Sequence, residues 1–397
     1  CLTPTAYFAR EALGVPGVAM VTASHNENGW TGVKMGAHPP FTFGPDEMAR
    51  LKALALEGGR IERPGGRRIP VEGFADRYLA EVASGPKLSR PIRVVAACGN
   101  GTAGAFVPEA LRRMGAEVIE MDTELDWTFP RYNPNPEDRV MLDAMAERVR
   151  ETGADLALGF DGDGDRCGVV DDRGHEIFAD RMGLMLARDL VADHPGATFV
   201  VDVKSTGLYR TDPVLAAAGA RVVYGMTGHS HMKRAVAAEG ALVGFEKSGH
   251  VFFAPPLGRG YDDALVFARE ILRLLDRAGG RHLSELEAEL PPAFTSLTMN
   301  AHCPDTEKYA VVERIAGEYR ALAAAGGTVL GRSILELVTV NGIRVELEGG
   351  RWLLVRASSN KPELVVVVES LDSADDMRAL FHEEVKPRLA GGWNQQV

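Results

Sequence analysis

Residues Ile92 to Met121 read IRVVAACGNGTAGAFVPEALRRMGAEVIEM, and the order of segments within them decides the fold class. Ile92 to Ala97 is an apolar, β-branched run of strand length. Gly99-Asn100-Gly101-Thr102 breaks it directly, Val107 to Met114 reads as a helix, and Glu117 to Met121 as a second strand. Strand, glycine loop, helix and strand form a βαβ unit, which requires parallel strands and hence an α/β fold. Such folds present their sites at the ends of strands.

Working back towards the start, a helix around Gly73 to Ser84 runs into Gly85-Pro86, which places a domain boundary near residue 72. Gly65-Gly66-Arg67-Arg68 is a loop, and Pro45-Asp46-Glu47 begins a helix that ends near Gly58-Gly59. Val18 to Gly36 reads VAMVTASHNENGWTGVKMG. Val18 to Val21 has the length and β-branched content of a buried strand and stops at Thr22-Ala23-Ser24-His25-Asn26, so Ser24 sits at a strand tip, presented by a turn. With His25 adjacent and Lys34 ten residues on, Ser24 has the surroundings of a nucleophile or a phosphate carrier; an ordinary strand-to-loop turn is the plainer reading. Thr3 as N-cap, Pro4 in the first turn and Gly14 as a stop predict a helix from Thr5 to Leu13. An α/β domain opening on a helix lacks its first strand, so further N-terminal sequence is expected.

Working forward, Pro130 to Pro136 is loop, and a helix from Glu137 to Arg150 leads into a strand from Asp155 to Phe160. That strand delivers Asp161-Gly162-Asp163-Gly164-Asp165-Arg166. Alternating aspartates in a glycine-rich turn put three carboxylates on one side of the backbone, as a hard divalent cation needs. An EF-hand fails on three counts: Arg166 stands where glycine is required, Asp172 where glutamate is required, and the flanks are strands, Cys167 to Val170 among them. A solvated acidic turn without metal leaves three mutually repelling aspartates.

A further α/β unit follows, with helices from Arg181 to Ala192, Pro213 to Ala218 and His231 to Glu239, and strands from Thr198 to Val203, Arg221 to Tyr224 and Ala241 to Gly244. Its strand ends carry Lys204-Ser205-Thr206, Thr227-Gly228-His229-Ser230 and Phe245-Glu246-Lys247-Ser248-Gly249-His250. The last offers donors and acceptors suited to sugar hydroxyls, or is a polar hairpin, since Val251 to Phe253 resumes as strand. Helices from Tyr261 to Ala278 and Leu283 to Leu290 precede Pro291-Pro292. The remainder mixes strands (Phe294 to Met299, Gly342 to Leu347, Trp352 to Val355, Glu363 to Glu369) with helices from Thr306 to Ala324 and Ala374 to Leu389, a smaller α+β domain. Its loop Arg356-Ala357-Ser358-Ser359-Asn360-Lys361-Pro362 is an anion nest suited to phosphate; turn chemistry accounts for the serines but not for Arg356.

The 397 residues suggest about two to four domains, and 45% hydrophobic with 25% charged residues is the balance of a globular protein. No apolar run approaches the roughly 18 residues of a membrane span and no basic-then-apolar leader is seen, so a cytoplasmic protein without membrane contact is expected. Cys1, Cys98, Cys167 and Cys303 form no C-x-x-C pair, which leaves reduced thiols as the simplest reading. A net charge of −11 excludes a typical nucleic-acid binder yet permits an anionic substrate held by a few local cations.

Seven motifs in order resemble the α-D-phosphohexomutases, most nearly their bacterial phosphomannomutase/phosphoglucomutase branch: TASHN at Thr22, CGNGTAG at Cys98, DGDGDR at Asp161, DVKST at Asp202, TGHS at Thr227, EKSGH at Glu246 and RASSNKP at Arg356. The resemblance implies three similar α/β domains with mixed sheets and a smaller C-terminal α+β domain around one cleft. Residues 1–72 are then the remainder of domain 1, without the arginine-bearing loop near the family's N-terminus, and domains 2 to 4 span 73–175, 176–291 and 292–397. It further implies that Ser24 is a phosphoserine whose phosphate meets Mg²⁺ held by Asp161, Asp163 and Asp165, with Arg166 stabilising the transferring group. His25, Lys34, Lys204 and His229 are the candidates for proton transfer. Glu246 and Ser248 would bind the sugar O3 and O4 hydroxyls with Lys247 and His250 nearby, and Arg356, Ser358, Ser359 and Asn360 would hold the phosphate that is not reacting.

The implied substrate is a mannose or glucose phosphate, interconverted between its 1- and 6-phosphates through a hexose 1,6-bisphosphate, by a monomer or dimer. Departures from the family pattern are Glu27 where proline is common, Thr31-Gly32 where Asn-Gly is common, Phe245 and Lys247 in the sugar loop, and Ser359-Asn360 in the phosphate loop. Lys247 adds a cation beside the sugar and leaves specificity at C2 open. The alternatives are a glucosamine phosphate mutase, against which the absence of glutamine from the sugar loop counts, and a truncated, non-catalytic phosphosugar-binding protein.

Overall fold

The computed structural model describes residues 1–58, 62–358, 361–389 and 392–393. The chain divides into two compact units, the first formed by residues 1–186 and 228–287, the second by 187–227 and 288–397.

In the first unit the expected βαβ unit is present. Arg93–Ala97 pairs parallel with Glu117–Met121 on one side and with Leu156–Phe160 on the other, and Cys167–Val170 and Glu176–Ile177 extend the sheet antiparallel. The sheet is therefore mixed. Helix Arg139–Thr152 begins where the Asp138 carboxylate accepts from Val140 N and Met141 N, and it packs Met141, Met145 and Val149 on Val95, Ala157 and Val170. Because Leu156–Phe160 is buried along its whole length, the loop that follows it starts from an immobile base.

Val18–Val21 pairs antiparallel with Val33–Gly36, from Val18 opposite Gly36 to Val21 opposite Val33. The strand expected to be buried is only half-buried, with Val21 69% exposed, because pairing along one edge leaves the alternate side chains facing out. The partner strand, Val33–Gly36, is too short and mixed in character to be read from sequence. A second hairpin joins Val243–Phe245 to Val251–Phe253. Helix Ala264–Arg277 is buried over most of its length.

Within the second unit Thr198–Asp202 pairs parallel with Arg221–Gly225. The C-terminal sheet is antiparallel throughout, in the order 294–295, 363–370, 351–357, 343–347, 332–338, 328–329, with 299–302 also on 363–370. Helix Lys308–Ala324 covers one face and contributes Val312, Ile315 and Tyr319 to a core with Val345, Leu353, Val366 and Phe381.

Several expected boundaries move, each for a local reason. The helix expected from Tyr261 starts at Ala264, because the Asp263 carboxylate accepts from Leu265 N and Val266 N and fixes the first turn there. The helix expected from His231 starts at His229. The strand expected from Ala241 starts at Val243, since Ala241 N is still bonded to Val236 O of the preceding helix. The strand expected over Phe294 to Met299 splits into Phe294–Thr295 and Met299–His302, because the Ser296 hydroxyl accepts from Val368 N and interrupts the ladder. The helix expected to reach Leu389 is α only over Ala374–Ala379; it widens over Leu380–Val385 and tightens over Lys386–Arg388, where Pro387 has no N–H to continue it. Strand Arg332–Val338 was not expected: its pairing shifts register between Ile334 and Glu336, which erases the alternation a strand normally shows.

Candidate active site

Ser24 follows the Val18–Val21 strand in a left-handed conformation, φ 53°, unusual for a residue with a Cβ. The turn is held from both sides: Ser24 N donates to Thr22 Oγ1 at 2.8 Å and Asn26 N to Ala23 O at 3.0 Å. Strain of this kind costs on the order of 1–3 kcal/mol and persists only where surrounding bonds over-determine it. Here it turns the Ser24 hydroxyl to within 3.3 Å of Asp161 Oδ2 and 3.2 Å of His25 Nδ1.

Asp161, Asp163 and Asp165 each offer an oxygen within 4.8 Å of the other two, and all three are buried. Gly162 lets the two loops meet backbone to backbone, for a Cβ there would stand 2.5 Å from Ser24 O. Asp161 Oδ1 accepts from Asp165 N at 3.1 Å and Arg166 N at 3.2 Å. Asp163 Oδ2 accepts from Thr3 Oγ1 at 2.5 Å, Thr22 Oγ1 at 3.0 Å and Lys34 Nζ at 2.9 Å. Lys34 also pairs with Asp165 Oδ2. Asp163 Oδ1 and Asp165 Oδ1 are buried and accept no hydrogen bond among the described residues. Unsatisfied carboxylate oxygens in a dry pocket are costly, and a cation reached through oxygen ligands removes the cost.

The electrostatics follow from this crowding. Burial, then Asp165 and Asp163, pushes the Asp161 carboxyl well above the usual range. Burial would lower the Lys34 ammonium, but Asp165 and Asp163 outweigh it and hold Lys34 charged. Burial, with Arg166 adding, pushes His25 down to about 3; burial, with Lys233 adding, does the same to His229. Both imidazoles are neutral acceptors at neutral pH, whereas Lys34 is a fixed countercharge.

Arg166 Nε lies 2.9 Å from His250 Nε2 and its Nη1 3.5 Å from Glu137. The loop carrying His250 is tied to the metal loop's exit strand, since Cys167 N donates to Gly249 O at 3.2 Å. Gly228 N donates to Glu246 Oε1 at 3.2 Å, and the His229 and His250 rings are 6.2 Å apart. Glu246, Lys247 and Ser248 are buried; Lys247 Nζ sits 5.3 Å from the centre of the Phe178 ring. Ser24, His25, Lys34, the three aspartates, Arg166, His229, Glu246 and His250 thus lie in one linked network. Beside Ser24 the loop opens on a hollow of about 410 Å³ bordered by Thr22, Asn26, Trp30, Trp127 and Asp163.

The second unit carries Lys204, Arg356 and Ser358. Lys204 is buried, its Nζ 3.9 Å from Asp202 Oδ2. Its loop is clamped by Arg344, which has no exposed surface, lies 3.6 Å from the Trp352 ring centre and donates to Val203 O at 2.9 Å and Ser205 O at 2.6 Å. Arg356 and Ser358 are buried at the end of strand Arg351–Ala357, where Lys308 Nζ donates to Ser358 O at 2.6 Å. Ser359 and Asn360, expected in the phosphate nest, lie outside the described residues.

Thr3, Thr22, Lys233 and Asp262 belong to the first unit's network and were not anticipated. Asp262 falls inside the helix expected from Tyr261; two adjacent aspartates before an apolar helix are the signal that one of them caps it. Thr22 lay inside the TASHN motif, and its β-hydroxyl before a turn is the corresponding cue. Nothing in the sequence marks Lys233, a lysine on a helix, as buried.

The chain matches four family descriptions in order: phosphoglucomutase/phosphomannomutase, alpha/beta/alpha domain I over residues 1–60, domain II over 72–174, domain III over 178–294, and the C-terminal domain over 299–386. It is 32% identical over 386 residues to a phosphomannomutase/phosphoglucomutase of Pseudomonas syringae pv. tomato, spanning 97% of this chain and 79% of that protein. It is also 32% identical over 370 residues to a phosphoglucomutase of Neisseria gonorrhoeae, spanning 93% of this chain and 76% of that one. A crystal structure of a phosphoglucomutase/phosphomannomutase family protein from Burkholderia thailandensis superimposes with a TM-score of 0.84 at 28% identity, covering 98% and 82% of the two chains. No helix among the described residues is long and apolar enough to cross a membrane.

Proposed function

The chain belongs to the phosphoglucomutase/phosphomannomutase family, and from that premise we propose that it interconverts hexose 1- and 6-phosphates, with Ser24 carrying the phosphoryl group. The observation that supports this most directly is the Ser24 hydroxyl 3.3 Å from the buried Asp161 carboxylate, beside a second carboxylate pair with two unsatisfied oxygens. Three hard oxygen donors on one turn suit Mg²⁺. When bound, Mg²⁺ neutralises charge on the phosphoryl oxygens, which is most of what this chemistry asks of a protein.

Around that site the chain's own groups divide the work. Lys34 and Arg166 are fixed cations flanking the carboxylates, positioned to balance the charge of a phosphate on Ser24. His25 Nδ1, neutral and 3.2 Å from Ser24 Oγ, accepts the hydroxyl proton when Ser24 is phosphorylated and returns it when the phosphate leaves. Glu246 and Ser248 orient the sugar hydroxyls, with Lys247 and His250 close by. His229 and Lys204 are the remaining proton-transfer candidates, and burial favours the neutral form of His229. In the second unit Arg356 and Ser358, with Ser359 and Asn360, hold the substrate's other phosphate. The hexose 1,6-bisphosphate formed by the first transfer, which leaves Ser24 as a free hydroxyl, re-presents its opposite phosphate, and the second transfer returns that phosphoryl group to Ser24.

An assay primed with a trace of hexose 1,6-bisphosphate on mannose, glucose and glucosamine 1-phosphates tests the reading. The 6-phosphates of mannose or glucose should form fastest, because the sugar loop Glu246 to His250 lacks the glutamine that counts for an amino-sugar substrate. Absence of any 6-phosphate would overturn the reading, and fastest turnover of the glucosamine ester would replace it with the amino-sugar alternative.

The close approach of the loops gives a second expectation. Gly162→Ala places a Cβ against Ser24 O and pushes the serine turn away from the carboxylates. A displacement near 1 Å at a reacting group costs roughly 100-fold in kcat. Steady-state kinetics should show that loss with the melting temperature lowered by only a few degrees, roughly 1 kcal/mol.

A further inference from the structure

Behind the His250 imidazole lies a buried chain of charges that plays no part in the chemistry above. Lys233, on helix His229–Ala238, has no exposed surface. Its ammonium lies 2.6 Å from Asp262 Oδ1, 3.4 Å from His229 Nδ1 and 4.1 Å from the centre of the Tyr7 ring. The other oxygen of Asp262 lies 3.2 Å from His250 Nδ1. On the far side of that ring, His250 Nε2 lies 2.9 Å from Arg166 Nε. A guanidinium can only donate, so His250 Nε2 must present a lone pair. The ring hydrogen then sits on Nδ1, which faces Asp262 Oδ2 at 3.2 Å and Asp165 Oδ1 at 3.8 Å. The two contacts demand the same tautomer, and Lys233 keeps in place the carboxylate that selects it.

From this geometry we propose that Asp262, anchored by Lys233, is a positioning residue: it fixes the Nδ1–H tautomer of His250 and thereby aims the Arg166 guanidinium at the phosphoryl group on Ser24. The proposal rests on reading Ser24 as the phosphate carrier. Without Asp262 the imidazole is free to carry its hydrogen on Nε2, where it opposes the Arg166 N–H donor to donor. Among the described residues, the side-chain ion pair left to Arg166 runs to Glu137, whose side chain is 46% exposed, 3.5 Å away. The guanidinium then turns towards solvent.

The test uses the full chain carrying Asp262→Asn, alongside Asp262→Asn combined with Lys233→Met. The combined variant removes both buried charges, so that no ammonium is left unpaired to threaten folding. Both should lose about 30-fold in kcat, the scale of supporting-residue effects, while KM for the hexose 1-phosphate stays within about twofold. In an Arg166→Ala background, adding Asp262→Asn should change kcat less than about twofold, because the two act through one pathway. Histidine ¹⁵N resonances of the resting chain should show His250 protonated on Nδ1, and Nε2–H character should appear in the variants. Additive losses in the Arg166→Ala background, or wild-type His250 protonated on Nε2, would overturn the proposal. The tautomer is read without substrate, so a chain that turned over no sugar phosphate would refute the functional reading and leave the tautomer result to be judged by itself.

Discussion

Ser24→Ala is expected to end turnover, with kcat falling by roughly 10⁴-fold or more, as when a covalent nucleophile is removed. The turn should survive, because Ser24 N, not its hydroxyl, makes the 2.8 Å bond to Thr22 Oγ1 that helps hold the left-handed backbone. Thermal unfolding of the variant should therefore match that of the parent chain. Intact-mass measurement adds an independent readout. After incubation with hexose 1,6-bisphosphate the parent chain should gain one phosphate that maps to the peptide containing Ser24, and the variant should gain none. Undiminished turnover in the variant would end the phosphoserine mechanism. A phosphate mapped to another residue would move the carrier elsewhere.

Removing divalent metal is expected to have the next largest effect. Chelation should lower kcat by on the order of 10³-fold, about 4 kcal/mol of transition-state charge stabilisation. Added Mg²⁺ should restore it. Asp161→Asn should weaken Mg²⁺ binding strongly, since that carboxylate lies 3.3 Å from the Ser24 hydroxyl and within reach of the other two ligands.

The pH dependence has a definite sign. Burial and its neighbours raise the Asp161 carboxyl above its usual range, so the proton competes with the metal from higher pH than an ordinary aspartate would allow. Mg²⁺ affinity should fall as pH falls through that raised value, and binding should release a proton. Calorimetric titration in buffers of differing ionisation enthalpy measures the release directly. Binding must also raise thermal stability, by about 2.7 kcal/mol at a hundred times Kd, if the resting chain holds the site preformed. Turnover indifferent to chelator and to added metal would remove the metal assignment altogether.

Elements with local causes were legible in the chain. Helix Val107–Met114 and strands Glu117–Met121, Val18–Val21 and Cys167–Val170 fall where their composition and flanking glycines placed them. The acidic turn was equally legible, since three aspartates at alternate positions have few stable arrangements without a cation. Boundaries failed where a side chain took over a backbone bond. Asp263 delays a helix and Ser296 breaks a strand, and each depends on where that side chain finds its partner.

Residue identity alone thus determined the fold class, the family, and the kinds of chemical group brought to the site: a hydroxyl, hard oxygen ligands, cations and imidazoles. Only the tertiary structure decided which of these meet and in what state. Lys34 is a surface-type residue by composition, yet it is held as a cation because Asp163 and Asp165, some 130 residues later, close around it. Lys233 became a buried anchor because helix His229–Ala238 packs it against Asp262. The reason is physical: a charge's energy is set by burial and by neighbours a few ångströms away, and those neighbours come from distant parts of the chain.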